Sequence, residues 1–309
     1  MTKRERLTAA CAGQPVDRVP FSLWYHFRLD PPAGEGMAKA ELDFYHRYSP
    51  DLFKVMHDIP YEMPEGMPEA RTPEEWRNLP VLDGVSGNFG AQLDTVKRIV
   101  AGRGDDGPVI DTVFSIFSTA EKVSGKRTLD MLRSDPDAAH VGFRALTASL
   151  ANYARALAFA ADGIYLAISG CASDTMDASV YRENFLGYDQ QILEAAAPAP
   201  FNVVHHHGAG IYADMVLGLK GYRIYSWSDR LPGNPGVREM RLRTQACLMT
   251  GVDETTFGTC DAGDVARQVR ETVAATNGRG MIAAPGCAVP TPPESSDACL
   301  RAFALGVGA

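Results

Sequence analysis

Short apolar runs alternate with longer segments of helical character along most of this chain. Eight of the runs have the length and composition of buried strands, at residues 19–27, 52–58, 109–115, 163–170, 202–207, 223–229, 246–253 and 280–287. The segments of helical character lie between or after them, at residues 137–160, 181–197, 237–243, 262–276 and 295–306. Strands that alternate with helices predict a parallel sheet, and a parallel sheet of eight strands closes into a barrel. The pattern therefore predicts an α/β protein with a single (β/α)₈ TIM-barrel domain over residues 1–309.

An open, doubly wound sheet is the main structural alternative for this alternation. Such a sheet usually carries a glycine-rich phosphate-binding loop after its first strand. Here the first predicted strand ends in Trp24-Tyr25-His26-Phe27, and no G-x-G-x-x-G motif follows it. The barrel is therefore the favoured architecture.

The segment at residues 60–105 interrupts the alternation. It is rich in proline and glycine and contains no strand-like run. Loops of this length are usually functional when they occur in a folded domain. We therefore interpret this segment as a long loop over the barrel mouth.

The composition is that of an ordinary globular protein, and it narrows the classes of function. Hydrophobic residues make up 45% of the 309 positions, charged residues 22%, and the net charge is −8. Scattered basic residues in an acidic chain argue against a nucleic-acid partner. No apolar run approaches the roughly 20 residues of a membrane-spanning helix, and the basic N-terminus leads into no apolar signal segment. Six cysteines are too few for a disulfide scaffold. We expect a cytoplasmic protein with reduced thiols.

Polar side chains occupy the positions where the predicted strands end. These residues are His26, His57, Asp58, Ser115, Ser169, His205, His206, His207, Asp229, Asp253 and Cys287. In (β/α)₈ enzymes the carboxyl ends of the strands form the face that carries catalysis. Strands that simply end at the solvent boundary would also place polar residues there. That alternative accounts poorly for a cysteine and four of the seven histidines, His57 and His205 to His207, at one edge. The sequence therefore predicts an enzyme with its active site at this mouth.

The sequence Asn202-Val203-Val204-His205-His206-His207 contains the sharpest local signal. Side chains alternate between the two faces of a strand, so His205 and His207 share one face and His206 takes the other. Cys287, at the end of the eighth predicted strand, can supply a third ligand. Two imidazoles and a thiolate with one open position form the ligand set of a catalytic zinc site. A histidine pair that binds an anionic substrate is the alternative interpretation.

Short blocks of sequence occur in order over nearly the whole chain: residues 4–7 (RERL), 15–20 (PVDRVP), 51–58 (DLFKVMHD), 113–115 (VFS) followed by Gly125, 162–164 (DGI), 251–254 (GVDE), 284–287 (APGC) and 291–294 (TPPE). Together they resemble the uroporphyrinogen decarboxylase superfamily. Within it they are most similar to the branch of the corrinoid-dependent methyltransferases and demethylases. The resemblance implies a (β/α)₈ barrel, in agreement with the number of predicted strands.

The chain departs from the true decarboxylases of this superfamily. The resemblance implies an arginine-rich run after the first strand, which holds the carboxylates of the porphyrinogen. Here the corresponding segment, residues 24–28, contains the single arginine Arg28. The decarboxylases also carry a histidine on the last strand, where this chain has Cys287. Asp58 falls where they keep an aspartate for the pyrrole N–H groups, a role that we do not assign without the arginines. Uroporphyrinogen is therefore not the expected substrate.

The methyltransferase branch carries a zinc motif that this chain matches with one change. The motif is His-x-Cys on the fifth strand and Cys on the eighth. His205 matches the histidine, Cys287 matches the last cysteine, and His207 stands where the first cysteine is expected. Imidazole also binds zinc. One thiolate fewer makes the centre more positive and a stronger Lewis acid, but a poorer activator of a thiol.

Two functions remain open at this point. The first is a zinc-dependent methyl transfer between a small substrate and a thiol or corrinoid, with Asp58, Asp229 or Asp253 as proton donor, partner of a ligand or added ligand. The chain has no Asp-x-His-x-x-Gly motif, so we expect any corrinoid on a separate protein or as a free cofactor. The second is a decarboxylase or other lyase for a small acid, in which His26, Arg28 and the histidine cluster at 205–207 bind carboxylate and relay protons. In both cases the predicted substrate-binding residues are Trp24, Tyr25, Arg28, His57, Ser115 and Ser169. A homodimer is expected because it is common for the fold.

Overall fold

The computed structural model describes residues 1–308, in which seven parallel strands form one curled sheet. The strands are β1 (Phe53–Val55), β2 (Val109–Phe114), β3 (Gly163–Ile168), β4 (Val203–His206), β5 (Ile224–Trp227), β6 (Cys247–Val252) and β7 (Met281–Pro285). Each strand pairs in parallel with the next one along the chain. The protein is therefore an α/β protein with a TIM-barrel fold, as the alternation of the sequence predicts.

Helices connect and cover these strands. They are α1 (Lys3–Cys11), α2 (Glu35–Tyr48), α3 (Pro73–Arg77), α4 (Gly87–Gly102), α5 (Ile116–Val123), α6 (Thr128–Ser134), α7 (Pro136–Ala160), α8 (Ala178–Asn184), α9 (Leu186–Ala195), α10 (Ala213–Leu217), α11 (Val237–Arg243), α12 (Ala262–Thr276) and α13 (Asp297–Val307). The helix predicted at 181–197 is divided into α8 and α9 at Phe185, whose ring is buried against Phe117 and Phe143. Among the helices of residues 1–308, none combines the length and the apolar composition that crossing a membrane requires.

The barrel interior is a separate hydrophobic cluster from the layer between strands and helices. It contains Ile110, Tyr165, Val203, Ile224, Met249 and Ile282, from β2 to β7. Leu52 and Met56, on either side of β1, belong to the same cluster. Because side chains alternate along a strand, Lys54 shares the face of Leu52 and Met56 and points into the barrel.

The first predicted strand, 19–27, needs a correction. Among the described residues this segment forms only two isolated bridges, Phe21 to Ala283 and Tyr25 to Val289. It nevertheless occupies the eighth position of the barrel. The amide of Ser22 donates to Ala283 O of β7 at 2.9 Å, and the amide of Asp51 donates to Phe21 O at 2.9 Å. We call residues 20–25 the closing segment, because it lies between β7 and β1 without a regular ladder to either.

A buried ionic network fixes the closing segment at its N-terminal end. Asp51 is fully buried and accepts hydrogen bonds from Arg6 Nη1 at 2.7 Å and from Arg18 Nη1 at 2.6 Å. Its second oxygen also accepts from the amide of Phe21 at 3.0 Å. Arg6 further binds Asp17 with two nitrogens, each at 2.7 Å. A buried carboxylate is stable only when charge and hydrogen bonds compensate it. The charged residues of the blocks 4–7 and 15–20 thus hold the barrel closed.

The prediction of a long loop at 60–105 also needs a correction, because the segment contains α3 and α4. Thr72 caps α3 and Pro73 occupies its first turn, which is a favoured start for a helix. In α4 the residues Phe89, Leu93, Val96 and Ile99 recur with helical spacing and are buried. This helix packs against α2 and α7 in the outer layer. Four glycines between 84 and 102 obscured the periodicity in the sequence.

Candidate active site

A cavity of about 250 Å³ opens at the carboxyl ends of the strands. Its walls come from the closing segment, from β1 to β4, from α5 and from the turn after β7. The residues that line it are Trp24, His26, Lys54, Met56, His57, Thr112, Phe114, Ser118, Lys122, Tyr165, Ala167, Ser169, His205, His207, Cys287 and Ala288. This is near the lower end of the range for small-molecule sites, so the cavity suits a small substrate.

Three side chains in this cavity lie close enough together to hold a metal ion. One ligand atom from each of His205, His207 and Cys287 lies within 4.8 Å of the other two. We call these three residues the metal site. His205 is the last inward-facing residue of β4, and His207 follows the strand, where its amide donates to Ile168 O at 2.8 Å. Cys287 lies two residues beyond β7. The site therefore joins the ends of two strands on opposite parts of the sheet.

His205 has the state that metal binding requires. Its Nδ1 lies 3.2 Å from Ser226 Oγ, which the parallel register of β4 and β5 places directly beside it. The ring of Tyr165 stacks on the imidazole at a centroid distance of 5.0 Å. Nε2 is buried and has no hydrogen-bond partner within residues 1–308. Burial, with smaller effects of His207 and Lys54, holds the pKa of His205 well below its ordinary value. The imidazole is therefore neutral at pH 7 and can offer Nε2 to a cation.

Cys287 completes a donor set that fits zinc. Burial raises the pKa of its thiol, while the amide of Ala288 and the charge of Lys54 favour the thiolate. Coordination to a divalent ion deprotonates such a thiol. Two imidazoles, one thiolate and an open fourth position form a typical set for catalytic zinc. In such a set the unpartnered Nε2 of His205 would be a ligand atom.

His206 faces away from the metal site, which confirms the predicted strand register. It is fully buried on the opposite face of β4. Its Nε2 donates to Cys171 O at 2.8 Å, and its Nδ1 lies 3.0 Å from the Tyr225 hydroxyl. Both ring nitrogens therefore have partners within the fold. This histidine stabilises the packing of β4 against the loop that follows β3.

Four of the other predicted site residues also line the cavity: Trp24, His26, His57 and Ser169. His26 Nδ1 lies 2.7 Å from Asp58 Oδ1 at the outer edge. Burial raises the pKa of Asp58, but the hydrogen bond and the charge interaction with His26 lower it. As a result, the pKa of Asp58 lies below its usual range. His57 is buried, and its Nδ1 donates to Thr112 O at 2.9 Å. Through His26, the His26–Asp58 pair therefore lies at the edge of the cavity.

The remaining predicted residues lie outside this cavity. Tyr25 packs against Phe27 and Phe44, and Arg28 is exposed on the surface. Ser115 is buried as the cap of α5. Asp229 accepts a hydrogen bond from Thr250 Oγ1 at 2.7 Å. Asp253 accepts from the amide and hydroxyl of Thr255. Each of these side chains has a structural partner of its own, and the structure does not bring them to the metal site.

Sequence reasoning missed two lysines and a tyrosine of the cavity. Lys54 is 4% exposed on β1, and Lys122 lies one turn after Ser118 on the cavity side of α5. Tyr165 forms the wall between Trp24 and His205. A signal for Lys54 was present, because a lysine inside an otherwise apolar buried strand is rare. Lys122 carried no such signal, since an isolated lysine on a short helix usually faces solvent.

Comparison with protein families gives one match over most of the chain. The family described as Uroporphyrinogen decarboxylase (URO-D) matches residues 33–304. No curated protein matches the chain.

Solved structures with similar folds include two kinds of enzyme. A methyltransferase from Methanosarcina mazei aligns with a TM-score of 0.81 at 19% identity, over 99% of this chain and 98% of its own. A putative vitamin-B12 independent methionine synthase from Listeria monocytogenes aligns with a TM-score of 0.61 at 11% identity, over 88% of this chain and 85% of its own. At these identities the similarity establishes the fold alone.

Proposed function

The chain belongs to the uroporphyrinogen decarboxylase family, and from this premise we propose that it is a zinc-dependent enzyme that transfers a methyl group between a small substrate and a thiol or corrinoid. The observation that carries the proposal is the cluster of His205, His207 and Cys287 within 4.8 Å at the cavity. Two of the similar structures are a methyltransferase and a putative methionine synthase, which is in keeping with this chemistry.

The residues of the chain have separable tasks in this function. Zinc held by the metal site would supply a Lewis acid for the heteroatom that gains or loses the methyl group. Ser226 fixes the orientation of the His205 ring, and Tyr165 packs against that ring and shields it from water. Trp24 provides an apolar wall for the substrate. The His26–Asp58 pair can exchange a proton with the substrate or with solvent, because it lies at the cavity edge.

The ligand set also bears on the choice of methyl carrier and acceptor. With one thiolate instead of two, the protein contributes a single negative charge to the metal site. That charge balance favours polarisation of a substrate bond over activation of a thiolate. A corrinoid, where it takes part, is proposed to come from a separate protein.

Metal analysis followed by a methyl-transfer assay tests the proposal. Protein purified without chelator is expected to contain about one zinc per chain, as a single three-ligand site implies. The zinc-loaded protein is then mixed anaerobically with methylcobalamin and small thiols, and demethylation is followed by absorbance. Demethylation that requires both zinc and protein supports the proposal. A metal-free protein that instead releases CO₂ from small acids would favour the lyase alternative.

We expect no enzyme-like decarboxylation of uroporphyrinogen. That substrate carries eight carboxylates and needs a wide basic cradle. Here Arg28 is exposed outside the cavity, and the cavity of about 250 Å³ is smaller than sites for drug-sized ligands. An anaerobic assay for coproporphyrinogen checks the expectation. Formation of that product at enzyme-like rates would contradict both the substrate class and the reaction proposed here.

A further inference from the structure

Lys54 is a buried lysine that faces the substrate cavity, and burial lowers the pKa of its amine. Its side chain is 4% exposed and lines the cavity wall. The Nζ atom lies 5.1 Å from the centroid of the Tyr165 ring and 5.7 Å from that of Trp24. Its hydrogen-bond contact is the thioether of Met56 at 3.0 Å. Aromatic rings and a thioether compensate a buried ammonium only weakly.

The carboxylates nearest to Lys54 are already bound by other groups. Within the described part of the chain, no carboxylate oxygen lies within 4 Å of Lys54 Nζ. Glu41 accepts from the amide of Met56 at 2.8 Å. Asp111 binds Gln92 and Tyr153 at 3.0 and 2.6 Å, and Asp58 binds His26. No carboxylate therefore forms a direct ion pair with Lys54, although the charges of Cys287 and Asp111 act on it through space.

Lys122 adds a second cation to the same wall of the cavity. Its Nζ lies 3.2 Å from the centroid of the Phe114 ring, and no carboxylate within residues 1–308 forms an ion pair with it. The two lysines belong to neighbouring parts of the barrel, β1 and the helix after β2. Both side chains therefore offer N–H donors to an anion in the cavity.

We propose that Lys54, together with Lys122, binds a carboxylate of the substrate, so that the substrate is a small organic acid whose other end reaches the metal site. This inference rests on the function proposed above and names the class of substrate. A carboxylate in the cavity would give Lys54 the direct ion pair that the fold does not provide, and a charge-assisted hydrogen bond is about twice as strong as a neutral one. Buried groups left uncompensated by the fold are typical of binding sites.

Calorimetry with two matched probes tests the proposal. The acid 3-mercaptopropionate and the neutral 3-mercapto-1-propanol carry the same thiol for the metal and differ in the carboxylate. With the zinc-loaded protein we expect the acid to bind at least about tenfold more tightly, as one charge-assisted hydrogen bond implies. Lys54→Met should reduce this preference to less than about threefold and leave the zinc content unchanged. Lys122→Met should reduce it in part.

The controls separate folding, charge and metal effects. Lys54→Met should melt at or above the temperature of the natural protein, because methionine fits among Trp24, Tyr165 and Met56 and removes a buried charge. Lys54→Gln retains a donor without charge and should lose the preference as well. Lys39→Met, at an exposed lysine paired with Asp43, should change nothing.

Two outcomes would overturn the proposal. One is equal binding of the two probes to the natural protein, and the other is a preference for the acid that persists in both Lys54 variants. Binding of the two probes to the metal-free protein gives an independent test, because any preference for the acid then depends on the lysines alone. A protein that takes up no zinc but still prefers the acid contradicts the proposed methyl transfer and supports the lysine site.

Discussion

Replacing Cys287 with serine is expected to lower the zinc affinity by more than about 100-fold and to abolish zinc-dependent activity. The thiolate is the one soft, anionic ligand of the metal site, and two neutral imidazoles alone hold zinc weakly. Even changes outside the ligand shell of zinc sites lower affinity by about 10- to 100-fold. Metal content after dialysis and competition with a chromophoric chelator measure the effect.

A second cysteine provides the control for this substitution. Cys260 is a partly buried free thiol like Cys287, but its sulfur donates to Phe257 O on another part of the molecule. Cys260→Ser should therefore keep the zinc. Full zinc retention in Cys287→Ser, or equal losses in both variants, would contradict the assignment of Cys287 as a ligand.

Alanine substitutions at His206 and His207 are expected to have opposite effects. His206→Ala should lower the free energy of unfolding by about 3 kcal/mol, since it leaves a cavity and unpaired partners at Tyr225 and Cys171. Its zinc content should not change. His207→Ala should lose the zinc and the activity but shift the free energy of unfolding of the metal-free protein by less than about 0.5 kcal/mol, because the side chain lies exposed at the mouth.

Urea denaturation of the metal-free proteins and metal analysis of the loaded ones separate the two effects. His207→Cys introduces the ligand found at this position in the methyltransferase branch and should still bind zinc, with changed reactivity towards thiols. A zinc-bound structure with His206 coordinated and His207 turned away would reverse the strand register and every assignment of faces that depends on it.

The sequence was sufficient for the parts of the fold that depend on local periodicity. Seven of the eight predicted strands are present, because fully buried parallel strands read as continuous apolar runs. The alternation of side chains along 203–207 was enough to place His205 and His207 together and His206 apart. Cys287 could be added because strand ends meet at one edge of a barrel. These inferences need only the order of the strands and the alternation of side chains along each strand.

Other features depend on contacts that no local pattern encodes. The closing segment has the composition of a strand but forms no full ladder. Contacts between side chains such as Arg6 and Asp51 hold it instead. Asp229 and Asp253 end their strands as predicted, yet Thr250 and Thr255 bind them away from the cavity. Whether a polar strand-end residue faces the substrate depends on its own partners. Lys122 lines the cavity because α5 begins directly after β2 at the mouth of the barrel.

The closing segment gives the barrel a seam that can open locally. Regular ladders hold the other strand pairs, whereas this seam depends on a few backbone hydrogen bonds and the network around Asp51. Regions with few such bonds open at a lower free energy than the global unfolding transition. Trp24 and His26 lie on or beside this segment and line the cavity. A displacement at Trp24 and His26 would therefore break no regular ladder, whereas a displacement of the strands that carry His205 and Lys54 would break one.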